Sequence, residues 1–90
     1  MDSDYALLHE QHHYDITYIN ARLFVQKLKD AHFNSGNYDY LVEKIHDESF
    51  KALEKMQDEY DGQTSNGRIN RMQAVWNKKI DQQLASLVTD

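Results

Sequence analysis

The residues of this chain whose types and spacing could do chemistry lie near its N-terminus. Glu10 follows His9 and His13 comes three residues later, which gives a His-Glu-x-x-His pattern. Residues four apart share one face of a helix, so both imidazoles can point at one Zn²⁺ ion with Glu10 beside them. The metal would lower the pKa of a water molecule, and a nearby carboxylate could take its proton. The pattern therefore predicts a zinc hydrolase, with His9 and His13 as metal ligands and Glu10 as general base.

A catalytic zinc site normally has three protein ligands, so the prediction requires one more. The chain contains no Cys, so the third ligand must be a histidine, a carboxylate or a neutral oxygen. A competing interpretation is that two histidines on an apolar helix face are simply hydrogen-bonded residues of the core.

Composition narrows the class of protein. Ninety residues predict a single domain, residues 1–90, with a thin core, and the absence of Pro together with only three Gly favours long helices. A formal charge of −5 without a basic stripe argues against nucleic-acid binding. Apolar runs are too short for a membrane span or a signal peptide.

Apolar spacing of three and four residues predicts an all-α fold of three helices. The first helix starts at Asp2, Ser3 or Asp4 and runs to a break at residues 34–37. The second runs from about residue 38 to 60, a second loop covers residues 61–67, and the third helix runs from about 69 to 88. The predicted inward residues of the three helices are Tyr5, Leu8, Ile16, Ile19, Leu23, Phe24 and Leu28, then Leu41, Val42, Ile45, Phe50, Leu53, Met56 and Tyr60, then Met72, Val75, Trp76, Ile80, Leu84 and Leu87.

The first two helices should form a long antiparallel hairpin, with the third helix packed on it. About 30 Å of helix separates the histidines from the first break, and a similar length leads back to the second loop. The second loop should therefore return to His9 and His13. The third ligand is sought there, at Asn66 or at a neighbour such as Asp61.

Two blocks of sequence resemble the predicted secreted zinc-dependent protease family, a bacterial domain of the zincin type. The first, residues 9–16, reads His-Glu-Gln-His-His-Tyr-Asp-Ile and is similar to the family's His-Glu-Gln-Gly-His-Phe-Asp-Ile segment, and Ala21-Arg22 continues the likeness. The second resembles a Tyr-Asp, Thr-x-His-Gly, then Gln-x-x-Trp pattern. Its matching residues are Tyr60, Asp61, Thr64, Gly67, Gln73 and Trp76.

The resemblance implies a peptidase with a peptide or protein substrate, a zinc cofactor and a secreted or periplasmic location. It implies that His9 and His13 are ligands, that Glu10 is the base and that the third ligand precedes Gly67. That residue is Asn66 here, where the family has histidine. An amide oxygen is a weaker zinc donor than imidazole, so the site is expected to be impaired. The family domain also has a preceding region that this chain does not include.

Two functions stay open at this point. One is the zinc hydrolase, and the alternative is a non-catalytic helical module that acts through a partner surface or in assembly. A thin core and an aromatic-rich hairpin are compatible with a homo-oligomer. His12 is expected either at the surface or as a ligand to a metal shared with another molecule, and His46 is expected to be exposed. Trp76 should pack in the shared core.

Overall fold

The structure is a computed structural model that describes residues 3–88. It consists of three helices, α1 (Ser3–Asp30), α2 (Tyr38–Thr64) and α3 (Asn70–Val88), and residues 3–88 contain no strand. The predicted all-α, three-helix fold is confirmed. A start of the first helix at Asp2 lies outside the described residues.

Asparagine side chains build the break between α1 and α2. Asn34 Oδ1 accepts hydrogen bonds from the backbone N–H groups of Gly36 and Asn37 at 2.8 and 2.9 Å. In return, Asn37 Oδ1 accepts the Asn34 N–H at 2.8 Å. These bonds replace the backbone bonds of a continuing helix. The break is confirmed, and α1 already ends just before it, at Asp30.

The end of α2 differs from the prediction, because Asp61 and Gly62 are helical rather than part of a loop. The helix closes at Ser65, which has a left-handed φ of 50°. The Asn66 N–H donates to the Asp61 carbonyl at 2.9 Å and the Ser65 N–H to the Gly62 carbonyl, which is the Schellman pattern. One helical glycine costs only about 1 kcal/mol, so α2 gains another turn before this cap ends it.

Contacts between α1 and α2 have the order expected of an antiparallel hairpin. His13 of α1 pairs with Gln57 of α2, whereas Phe24, further along α1, meets His46, which is earlier in α2. The third helix packs against both, and its first turns lie beside His9 through Gln73. The molecule is elongated, with extents of 53 × 27 × 17 Å.

The core lies where all three helices meet, near the second loop. Trp76 is only 3% exposed, its ring meets the Tyr60 ring edge-to-face at 5.4 Å, and its Nε1 donates to Gln63 Oε1 at 2.9 Å. The prediction that Trp76 packs in the shared core is confirmed. The buried cluster consists of Ile16, Ile19, Tyr60, Trp76 and Ile80, with Leu53, Met56, Met72, Leu84 and Leu87 packed against it.

The predicted inward faces are too wide. Leu8, Leu23, Phe50 and Val75 were expected inside, yet each is at least 40% exposed. Helical spacing identifies an apolar arc, but a helix with two neighbours buries only the part of that arc that they cover. The thin core therefore leaves large apolar side chains at the surface.

Candidate metal site

The two histidines of the His-Glu-x-x-His pattern lie side by side against α2. His9 is 3% exposed and His13 is half-buried, and their rings meet edge-to-face with centroids 5.1 Å apart. The Tyr60 ring stacks on His9 at 4.5 Å and meets the edge of His13 at 4.9 Å. This aromatic packing holds both imidazoles in place, on the face that the sequence predicted.

Both imidazoles direct Nε2 at one oxygen of Asp61, in the last turn of α2. Asp61 Oδ1 lies 2.7 Å from His13 Nε2 and 3.2 Å from His9 Nε2. Two ligand atoms of a tetrahedral zinc site with bonds of about 2.0 Å are about 3.3 Å apart. The His9–Asp61 separation matches this spacing, whereas the shorter His13–Asp61 separation is that of a hydrogen bond. Asp61 is 42% exposed, so solvent reaches this side of the cluster.

A hydrogen-bond network holds the other face of His9. Its Nδ1 lies 2.7 Å from Gln73 Oε1, and Gln73 Nε2 donates to the Tyr60 hydroxyl at 2.8 Å. The Tyr60 hydroxyl in turn donates to the His9 backbone carbonyl at 2.9 Å. His9 is therefore held at both its ring and its backbone by residues of α2 and α3.

Burial raises the pKa of the Tyr60 hydroxyl from 10.0 to about 12. The negative charges of Asp61 and Glu10 act in the same direction, whereas the hydrogen bond from Gln73 acts in the opposite one. Tyr60 therefore stays a neutral phenol at ordinary pH and keeps the proton that it donates to His9.

His13 has a similar partner on α2. Its Nδ1 contacts Gln57 Oε1, and Gln57 Nε2 donates to the His13 backbone carbonyl and to Thr17 Oγ1, both at 3.0 Å. Each histidine of the pair is therefore bound at Nδ1 by a glutamine oxygen and faces Asp61 with Nε2.

Glu10 lies beside the pair, on the solvent side. Its side chain is exposed, and one of its oxygens lies with one ring nitrogen of each histidine in a group whose atoms are all within 4.8 Å of one another. A carboxylate at this distance can accept a proton from a water molecule held between it and the histidines.

The turn after α2 returns to His9, as the hairpin length predicted. Gly67 has a φ of 89°, and a Cβ at this position would lie 3.1 Å from Cγ and Nδ1 of the His9 ring. Asn66 has a φ of 57° and an exposed side chain, and its backbone N–H binds the Asp61 carbonyl. The turn thus contacts His9 through glycine backbone. A ligand role for Asn66 itself stays a prediction.

The exposure of His12 and His46 tests the positions predicted for them. His12 is 3% exposed and its Nδ1 donates to Asp15 Oδ2 at 2.9 Å, so the expectation of a surface position is wrong. His46 is exposed, as expected.

Sequence reasoning missed two residues of the cluster and underrated a third. Gln57 and Gln73 received no role, and Tyr60 was assigned only to the core. Gln57 precedes Asp61 by four positions and so shares its helix face, which is the one signal that could have indicated it. Gln73 carried no signal except its place in the Gln-x-x-Trp likeness.

Comparisons of the chain with protein-family models, with curated proteins and with solved structures found no match. None of the helices within residues 3–88 is both long and apolar enough to cross a membrane.

Proposed function

We propose that this chain is a zinc-dependent hydrolase in which His9, His13 and Asp61 bind the ion. The observation that carries the proposal is the convergence of both Nε2 atoms on Asp61 Oδ1, at 2.7 and 3.2 Å. Histidines that served only as core residues would each need a hydrogen-bond partner, but they would not need to share one. Two imidazoles and a carboxylate are a donor set that Zn²⁺ accepts.

Zinc bound there would supply a Lewis acid that makes a water molecule more acidic. Glu10 would serve as the proton acceptor there, since it is exposed and lies within reach of the cluster. Asp61 contributes the negative charge that offsets part of the charge of the cation. Tyr60 takes no direct part, because it is fully buried and its proton is donated to His9.

The substrate class follows from the resemblance to the zinc-dependent protease family, which supports a peptide or protein substrate and a secreted or periplasmic location. We further propose that Asp61 supplies the third ligand. In the family this ligand is a histidine at the position that Asn66 occupies here. Asp61 is a charged donor, whereas the Asn66 amide is a neutral one, and a carboxylate is the better match to zinc.

Zinc titration by calorimetry, on chelator-treated protein, tests the site. We expect one zinc per chain, with affinity reduced by more than about 100-fold in His13→Ala and Asp61→Ala and unchanged in the matched control Asn66→Ala. Zinc affinity equal in Asp61→Ala and wild type would refute the assignment of Asp61.

Hydrolysis is tested separately on a fluorescein-labelled unfolded protein, with zinc present. Glu10→Gln should keep zinc affinity and lose cleavage, because it removes the proton acceptor but no ligand. Equal cleavage by the two proteins would exclude Glu10 as the base. No cleavage by wild-type protein that binds zinc would favour the second candidate.

The second candidate is a non-catalytic helical module that assembles with a second copy of itself. It is favoured by the outer face of α1, where apolar side chains recur at coiled-coil spacing although no helix covers them. Sedimentation equilibrium tests it, and a dimer that Tyr14→Lys converts to a monomer would support it. The exposed apolar residues of this face are Leu7, Tyr14, Tyr18 and Val25.

A further inference from the structure

We propose that Gln57 and Gln73 are positioning residues that keep a proton on Nδ1 of His13 and of His9, so that both Nε2 atoms are free to bind the cation. This inference rests on the proposed zinc site and extends it to the residues that prepare it. It concerns proton positions in the protein itself, so it can be measured with or without zinc.

The orientation of the Gln57 amide is fixed by a group that can only accept. Its Nε2 lies 3.0 Å from the His13 backbone carbonyl, so the nitrogen end must face that oxygen. The other end, Oε1, then faces His13 Nδ1. Because a carbonyl oxygen cannot donate, the proton of this hydrogen bond belongs to Nδ1.

The orientation of the Gln73 amide follows from Tyr60 by the same reasoning. The only hydrogen of the Tyr60 hydroxyl is donated to the His9 carbonyl, so this hydroxyl can only accept from Gln73. Nε2 of Gln73 must face Tyr60, which leaves Oε1 at His9 Nδ1, 2.7 Å away. The His9 backbone carbonyl thus orients Tyr60, Tyr60 orients Gln73, and Gln73 determines which nitrogen of the His9 ring carries the proton.

Neutral imidazoles protonated at Nδ1 have a lone pair at Nε2, and Asp61 Oδ1 also only accepts. Each Nε2 lone pair then faces Asp61 Oδ1 with no hydrogen between them, at 3.2 Å for His9 and 2.7 Å for His13. A cation at this point removes the repulsion. Without the glutamines, each ring could carry its proton on Nε2 and donate it to Asp61. A metal ion would then have to break these hydrogen bonds before it could bind.

The roles of the glutamines can be separated from those of ordinary hydrogen-bonding residues, because the chain contains a matched control. Gln63 Oε1 also accepts from a ring N–H, that of Trp76, at 2.9 Å, but Trp76 is not a ligand. Met is nearly the same shape as Gln and offers neither a carbonyl nor an amide. The test set is therefore Gln57→Met, Gln73→Met and the control Gln63→Met.

The first measurement is imidazole ¹⁵N NMR of metal-free protein at mildly alkaline pH. In wild type, Nδ1 of both His9 and His13 should be protonated. Gln57→Met should move the proton of His13 to Nε2 and leave His9 unchanged, Gln73→Met should do the reverse, and Gln63→Met should change neither. An unprotonated Nδ1 on either ring of the wild type overturns the proposal, even if a Met variant fails to fold.

The second measurement is zinc affinity, followed by competition with a chelator. Gln57→Met and Gln73→Met should each bind zinc about 10- to 100-fold more weakly, the effect usual for partners of metal-binding histidines, and Gln63→Met should bind as wild type. Gln57→Glu keeps an oxygen at Nδ1 and should retain the proton position. Met variants with wild-type affinity and tautomers overturn the proposal. If wild-type protein takes up no zinc, the proposed function fails, while the NMR result still decides the positions of the protons.

Discussion

Tyr60→Phe tests how strongly the buried network supports the histidine pair, because it removes one oxygen and leaves the ring. The hydroxyl donates to the His9 carbonyl and accepts from Gln73, and Tyr60 is fully buried. The ring contacts with His9, His13 and Trp76 should remain. The substitution therefore isolates the polar part of the role of Tyr60 from its packing.

The expected loss at neutral pH is about 1 to 3 kcal/mol, the cost of leaving a buried polar group without its partner. Gln73 would keep its hydrogen bond to Asn77 and lose the one to Tyr60, which sets the loss nearer the middle of this range. A domain of this size has a total stability of about 5 to 13 kcal/mol, so the change is easily measured. The freed Gln73 amide should also weaken zinc binding.

Alkaline pH supplies a second signature of the same hydroxyl. Its pKa is about 12 in the folded chain against 10.0 ordinarily, so the unfolded chain loses this proton first. The stabilisation is complete below pH 10 and is lost as pH rises towards 12, by about 3 kcal/mol in all. Tyr60→Phe should lack this part of the pH dependence.

Urea unfolding followed by far-ultraviolet circular dichroism measures both effects, at neutral pH and in steps through the alkaline range. Tyr14→Phe is the matched control, since Tyr14 is 73% exposed on α1, the helix that carries His9 and His13. Its change should stay within about 0.5 kcal/mol. The reasoning is refuted if Tyr60→Phe is as stable as wild type at neutral pH, or if both lose the same stability above pH 10.

Four further predictions concern α2, the turn after it and the core. Gly67→Ala should destabilise the chain by about 1 to 2 kcal/mol or more and weaken zinc binding, because the φ of Gly67 is positive and the new methyl group would press on His9. Gly62→Ala should stabilise the chain by about 1 kcal/mol in the same urea assay, because Gly62 is helical and has open space around it. Trp76→Ala should destabilise by about 3 to 5 kcal/mol, and an unchanged melting temperature would contradict this. Asn66→His should raise zinc affinity in calorimetry, because the turn lies beside His9 and imidazole is a stronger zinc donor than an amide, and equal affinity would contradict this.

The helices and the hairpin could be predicted from the sequence because they depend on local signals. Apolar spacing and the Asn-rich break at residues 34–37 were sufficient for the element order, and the hairpin length was sufficient to bring the second turn to His9. The prediction failed where a local signal was too weak to end a helix and where a tertiary contact decides burial. Asp61 and Gly62 have the residue types of a loop, yet they continue α2, and Phe50 and Val75 lie on an apolar arc that no neighbour covers.

The histidine pair could be found from its spacing, whereas its partners could not. Gln57 and Gln73 are ordinary glutamines in sequence, and their roles depend on three helices meeting at one point. Asp61 was only one of two suggestions for the third ligand. The length of the hairpin predicts which loop lies near the histidines, but it does not predict which side chain of that loop faces them. The rotation of α2 about its axis, which directs Asp61 rather than a neighbour at the rings, follows from packing.

The distance along the chain between the partners of the cluster has a consequence for folding. His9 and Gln73 are 64 positions apart, and Asp61 belongs to the helix between them. The complete cluster therefore exists only after α3 has closed on the hairpin, since the hairpin alone would hold His13 but would leave His9 without Gln73. An ion that binds the form with α3 docked about 10- to 100-fold more tightly, as expected from the role of Gln73, stabilises that step by about 1.4 to 2.7 kcal/mol. Zinc would then stabilise the packing of α3 on the hairpin through Gln73, although all three of its ligands lie on α1 and α2.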